Sequence, residues 1–316
     1  MVDFIFRKRE LKKLLPMDNE SDPDIIQIYL HFFTEELSFK KRMYYAEKII
    51  ENTRKSSEKF HYCIYKAIQY LLIDDVQVAI SDIHLALSEY ESSPDFKKNA
   101  FGRRKYADAL GLIGEISRSE AHILNAINEY NSILESNDWS ESANADIYFQ
   151  LGRCFSEIDR YDEGLEYYDK ALNLNANPLT TIFKSKLYLK MHDEKAVSLI
   201  SEVATDDLRP SELLDYIFTY ASIAIEFKSK VMTGKSLDLL NGAPDIDPFF
   251  EKQRASLIGR VAKLLIENNF DQDNSILETF KSLIKSTTRY ILLQPNIAGI
   301  GIDINKIIND TNIKSK

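Results

Sequence analysis

Apolar residues recur at helical spacing along most of the chain. The clearest stretch places Tyr148, Leu151, Gly152 and Phe155 on one face of a first helix, and Gly164, Tyr168 and Ala171 on one face of a second. Prolines stand at positions 16, 23, 94, 178, 210, 244, 248 and 295. The long stretches between them are proline-free, as expected where proline is confined to turns. The pattern predicts an all-α chain of paired amphipathic helices.

The paired helices repeat. From the first residue of the clearest unit the key positions follow at offsets of 3, 4, 7, 16, 20 and 23 residues, with an aromatic or large residue leading and small residues at offsets 4 and 16. Laid upstream, these offsets select Leu110, Ile113, Gly114, Ser117, Ala126, Tyr130 and Ile133, in which Ser117 is weak. Further back they select Cys63, Lys66, Ala67, Tyr70, Ala79, Ile83 and Ala86, in which Lys66 is the departure. A first unit reads Leu30, Phe33, Thr34, Leu37, Ala46, Ile50 and Thr53. Downstream come Thr180, Phe183, Lys184, Leu187, Ala196, Ile200 and Val203, then Tyr220, Ile223, Ala224, Phe227, Ser236, Leu240 and Ala243.

The second small position therefore steps through 46, 79, 126, 164, 196 and 236, at intervals of 33, 47, 38, 32 and 40 residues. Long intervals coincide with turn-rich insertions at Ser92-Ser93-Pro94-Asp95 and Asn137-Asp138-Trp139-Ser140. This pattern resembles the tetratricopeptide repeat, a helix-turn-helix unit of about 34 residues. Tyr148 stands for the family's Trp and Gly164 for its first Ala, and Pro178 falls slightly later than the usual Pro. The resemblance implies an α-α superhelix over residues 24–245; an irregular helical array of another kind is the competing reading.

Four segments follow: a basic, amphipathic N-terminal stretch over 1–23, the repeats over 24–245, two capping helices over 246–288, and a glycine-containing tail over 289–316. The capping helices are expected at Phe249 to Asn268 and Ser275 to Thr287, with a polar outer face closing the array.

Composition narrows the function. Gly and Pro together are 18 of 316 residues, about half the usual share of roughly 12%, which disfavours turn-rich β folds and glycine-looped α/β enzymes. With 40 Lys+Arg against 49 Asp+Glu the net charge is -9, so nucleic acid and anionic membrane are not the default partners. No run of about 18 apolar residues predicts a membrane span, and the charged start Arg7-Lys8-Arg9 does not read as a secretion signal. The two cysteines, Cys63 and Cys154, lack metal-ligand spacing and fit a reducing cytoplasm.

Candidate chemistry is sparse. The histidines at 31, 61, 84, 122 and 192 form no ligand cluster on one helix face, so no metal and no cofactor are expected. His61 and Cys63 lie two residues apart and point to different faces of a helix. The tail runs Tyr290-Ile291-Leu292-Leu293, then Asn296 through Gly299 and Gly301. It superficially matches a strand and glycine loop, but lacks the third glycine position and the βα unit that dinucleotide binding requires. It reads as packing against the last helices or as a docking element for another chain.

In tetratricopeptide proteins the first helices of successive repeats line a concave groove that holds a peptide or partner helix. The resemblance puts groove positions at His31 and Glu35, Ile64 and Ile68, Gly111 and Glu115, Phe149 and Arg153, Thr181 and Ser185, and Ala221 and Ile225. None is Lys or Asn, the residues with which chaperone-binding members clamp a carboxylate; Arg153 alone is comparable. Ile64, Ile68 and Phe149 favour an apolar or helical ligand. The expected function is a non-catalytic adaptor that binds a protein or peptide within a larger complex. A regulator whose superhelix changes shape on binding a peptide is the alternative.

Overall fold

The computed structural model describes residues 39–73, 75–136, 139–243 and 248–268. The chain divides into two compact units, Met1–Asp138 and Trp139–Lys316, with the boundary in the second turn-rich insertion. Every regular element among the described residues is a helix.

The first unit contains α1 (Phe39–Asn52), α2 (Ser56–Leu72), α3 (Val76–Glu91), the short α4 (Pro94–Lys98), α5 (Ala100–Ser117) and α6 (Glu120–Glu135). The second contains α7 (Glu141–Glu157), α8 (Tyr161–Leu174), α9 (Pro178–Lys190), α10 (Lys195–Ser201), α11 (Pro210–Glu226), α12 (Lys230–Asn241) and α13 (Pro248–Glu267). Hairpins form between α2 and α3, α5 and α6, α7 and α8, α9 and α10, and α11 and α12. Each predicted repeat from Cys63 onward is one of these hairpins. Ala46 lies on α1, packed against α2, while Leu30 to Leu37 of the same unit lie outside the described residues.

The small positions carry the packing. Ala46, Ala79, Ala126, Ala196 and Ser236 have no solvent exposure, and Gly164 is buried with them. A residue larger than these at a helix crossing separates the axes and opens voids around the contact. Lys184 is the exception. It is only half-buried and bonds Asp169 of α8 at 2.5 Å, while its neighbour Ser185 is turned fully inward. A lysine is too long and too polar for a crossing, so α9 presents Ser185 to the core, its hydroxyl donating to the Thr181 carbonyl at 2.9 Å.

Helix starts follow local chemistry. Asp75, Asn99, Ser140, Asn177 and Ser229 each accept a hydrogen bond from a backbone N–H of the first turn, satisfying donors that have no partner inside the helix. Pro94, Pro178 and Pro210 open their helices, where the missing N–H costs nothing. They are thus start signals rather than terminators, which is why Pro178 comes later than a closing proline would.

Four hairpin turns share one backbone device. Arg118, Asp159, His192 and Lys228 take φ of 53°, 58°, 55° and 50°. The next residue in each case donates to a carbonyl five positions back: Ser119 to Gly114, Arg160 to Phe155, Asp193 to Tyr188 and Ser229 to Ala224, over 2.9–3.2 Å. Glycine usually occupies such left-handed positions, because a Cβ crowds the following carbonyl. Lys228 is exposed, so Lys228→Gly is expected to stabilise the second unit by up to about 1 kcal/mol, read as a higher thermal midpoint. A lower midpoint would mean that the added freedom of the unfolded chain outweighs the relief.

The sequence departure at Lys66 is resolved by charge. Its ammonium lies 3.2 Å from Glu47 of α1 and 3.4 Å from Asp82 of α3, with Lys66 and Asp82 both buried. Burial lifts the Asp82 carboxyl above its usual range more than Lys66 lowers it.

In the second unit α13 packs on α11 and α12. It buries Leu257, Ile258, Val261 and Leu265 in one cluster with Leu214, Ile217, Leu237 and Leu240. It continues the alternation as another first helix would. The expected helix at Ser275 to Thr287 and the tail with Asn296, Gly299 and Gly301 lie outside the described residues.

Candidate functional site

The first helices of the repeats are α2, α5, α7, α9 and α11, and the groove positions distribute unevenly over them. On α2, Ile64 is half-buried and Ile68 is 43% exposed. On α5, Gly111 is half-buried and Glu115 is exposed. On α7, Phe149 and Arg153 are half-buried, one turn apart on the same face. Ser185 and Ala221 have no exposure and are not groove residues. Ser185 is turned inward by the rotation of α9, and α11 is covered by α9, α10, α12 and α13 around most of its circumference. Thr181 and Ile225 remain half-buried; His31 and Glu35 lie outside the described residues.

Phe149 and Arg153 converge on residues that were not nominated for the groove. The Phe149 ring meets Phe183 of α9 edge-on at 5.2 Å and lies 6.1 Å from Tyr168 of α8. The Arg153 guanidinium sits 5.4 Å from the Phe183 centroid and donates to Gln150 Oε1 at 3.2 Å. Lys186 also places its ammonium 4.2 Å from the same centroid and pairs with Asp215 of α11 at 2.6 Å. Two cations beside one ring use the negative quadrupole of its faces. They also hold both side chains in defined positions.

The repeat offsets gave Phe183 as a packing position, and neither Phe183 nor Lys186 as a groove position, because they assume the standard rotation of α9. The available signal was their own spacing of three residues, which puts an aromatic and a cation on one helix face.

Reactive groups are muted. The Cys63 thiol is pushed up to about 12, first by burial and then by Asp82, so it is not a thiolate at neutral pH. The Tyr168 phenol is raised by burial, against a smaller opposing effect of its hydrogen bond with Ser156. Among the described residues no three His, Cys, Asp or Glu side chains are grouped to hold a metal, and no helix is long and apolar enough to cross a membrane.

The sequence profile of the tetratricopeptide repeat matches residues 145–178, which span most of α7, all of α8 and the start of α9. No curated protein matches the chain. Among solved structures, a tetratricopeptide repeat protein from Parabacteroides merdae is similar over 79% of this chain and 96% of its own. The identity is 16% and the TM-score 0.35, too low for that likeness to carry an argument. The helical hairpins, the small residues at their crossings and the profile match agree: the described residues form an all-α array of tetratricopeptide-like hairpins, with a tetratricopeptide repeat at residues 145–178.

Proposed function

We propose that this chain is a non-catalytic adaptor that holds a peptide or protein segment against the first helices of its repeats, within a larger complex in a reducing cytoplasm. Tetratricopeptide repeats generally serve as protein-interaction scaffolds rather than enzymes. The observation that carries the reading is the cluster of Phe149, Arg153, Phe183 and Lys186. Its half-buried aromatic faces, flanked by fixed cations, match the composition of binding hot spots, where aromatic residues and arginine dominate. Cys63 and Cys154 are buried and not bridged by a disulfide, which suits the compartment. The ligand class favoured is an apolar or helical segment with an acidic neighbour, its apolar side chain against Phe149 and Phe183 and its carboxylate towards Arg153.

Affinity capture from the native host, followed by mass spectrometry, tests this. Partners of the wild-type protein are expected to fall at least about tenfold in recovery with Phe149→Ala/Phe183→Ala, and to weaken with Arg153→Glu, while helicity is unchanged. Full recovery with both variants would remove this face from the interaction. A large compaction in solution scattering on adding the captured segment would instead favour the ligand-responsive regulator.

A further inference from the structure

The insertion that lengthens the interval between the second and third repeats does more than bridge them. Pro94 opens the short helix α4, which lies so close to α5 that a Cβ on Gly102 would collide with the Phe96 carbonyl oxygen. That contact turns the Phe96 ring onto Phe60 of α2, edge-on at 5.5 Å, and onto Tyr90 of α3 at 5.4 Å. The result is a half-open cavity of about 410 Å³ in the first unit, lined by Phe60, His61, Tyr62, Phe96, Phe101 and Lys105 together with Ser57 and Glu58.

The charges around it are uneven. Glu58 is already held: one carboxylate oxygen accepts from Thr53 at 2.6 Å and the other from Lys55 at 2.9 Å. Lys105 has no ion pair among the described residues; its ammonium rests 5.3 Å from the centroid of Phe101, a ring left 58% exposed. Its positive charge reaches His61, whose imidazole is held below its usual pKa by desolvation first and Lys105 second. An aromatic wall, one uncommitted cation and a neutral imidazole are therefore juxtaposed.

We propose that this cavity binds a small aromatic carboxylate. Its ring packs edge-on among Phe60, Phe96 and Phe101, the arrangement aromatic quadrupoles favour. Its carboxylate pairs with Lys105 beside His61. One cation suits a single negative charge; a phosphoryl group, with more charge and more acceptor oxygens, calls for several donors. The volume lies at the lower end of small-ligand pockets, which run from roughly 300 to 1,000 Å³. The site rests on the first unit alone and is independent of the partner face built on α7 and α9.

Saturation-transfer NMR on the full chain, with phenylacetate and its neutral amide phenylacetamide as probes, tests the proposal. Phenylacetate is expected to bind, and the amide at least about tenfold more weakly, because its carbonyl can still accept from Lys105 but carries no negative charge to pair with the ammonium. Lys105→Met is expected to bring phenylacetate down to the level of the amide, and Phe101→Ala to weaken both probes; circular dichroism checks that each variant keeps its helicity. The proposal is overturned if neither probe binds the wild-type chain, if acid and amide bind equally, or if both variants bind phenylacetate as the wild type does.

Discussion

Gly152→Val is expected to destabilise the second unit by about 3 kcal/mol, at the upper end for an overpacked core. A Cβ at Gly152 would stand 2.6 Å from two carbons of the Tyr168 ring, and Tyr168 is only 1% exposed. The ring has little room to retreat: it is buried, and Phe149 of α7 also lies near it, 6.1 Å between centroids. Valine adds two methyl groups to this clash, so α7 and α8 must separate or Tyr168 must leave its rotamer. Gly164→Ala is the matched control. Its Cβ would meet Leu187 at 3.0 Å, Ser156 Oγ at 3.2 Å and the Gly152 carbonyl oxygen at 3.3 Å, a few tenths of an ångström too close, which the gain in helix propensity of about 1 kcal/mol over glycine offsets. Urea unfolding should show a much lower midpoint for Gly152→Val and a far smaller change for Gly164→Ala. Equal midpoints for wild type and Gly152→Val would refute the close-crossing account.

The second large effect is expected at Lys66. Lys66→Ala should destabilise the first unit by about 3–5 kcal/mol, because it leaves Asp82 buried without its countercharge. One oxygen of Asp82 is already buried without a hydrogen-bond partner, so the carboxylate has no reserve. Replacing both charges with apolar residues, as Lys66→Met with Asp82→Leu, should restore most of the loss. The order of stability wild type, double variant, then Lys66→Ala separates a missing partner from a missing volume.

The pH dependence of Lys66→Ala has a definite sign. Asp82 has its native pKa raised, by burial first, above the unfolded carboxyl value of 3.8, and losing Lys66 raises it further. The native state then binds the proton more tightly than the unfolded state, so the variant should recover stability as pH falls through the native pKa towards 3.8. A difference from wild type that stays constant between neutral pH and that value would show that Asp82 is not the source of the loss.

The helical hairpins were legible because burial of one face imposes a helical period on apolar residues, and close crossings demand Gly, Ala or Ser. Ala79, Ala126, Gly164 and Ser236 could be read from spacing for that reason. Phe149 and Arg153 were nominated for the groove by resemblance to the family, and the structure places them on one half-buried face of α7. Phe183, which the offsets gave only as a packing position, joins them because of the rotation of α9 around Ser185 rather than Lys184.

The sequence by itself determined which residues each helix must bury and where the chain must turn, since both are local consequences of periodicity, capping and proline geometry. The tertiary structure alone decided which buried residues meet. Lys66 looked like a defect in its repeat until Glu47 and Asp82, from two other helices, supplied its partners. The interval of 47 residues looked like a lengthened turn until α4 brought Phe96 onto Phe60. Four left-handed turns were invisible because Arg, Asp, His and Lys occupy positions that glycine would have marked. At Lys66 and Phe96 the deciding contact joins groups far apart in the chain, and a one-dimensional pattern records that a face is covered without recording what covers it.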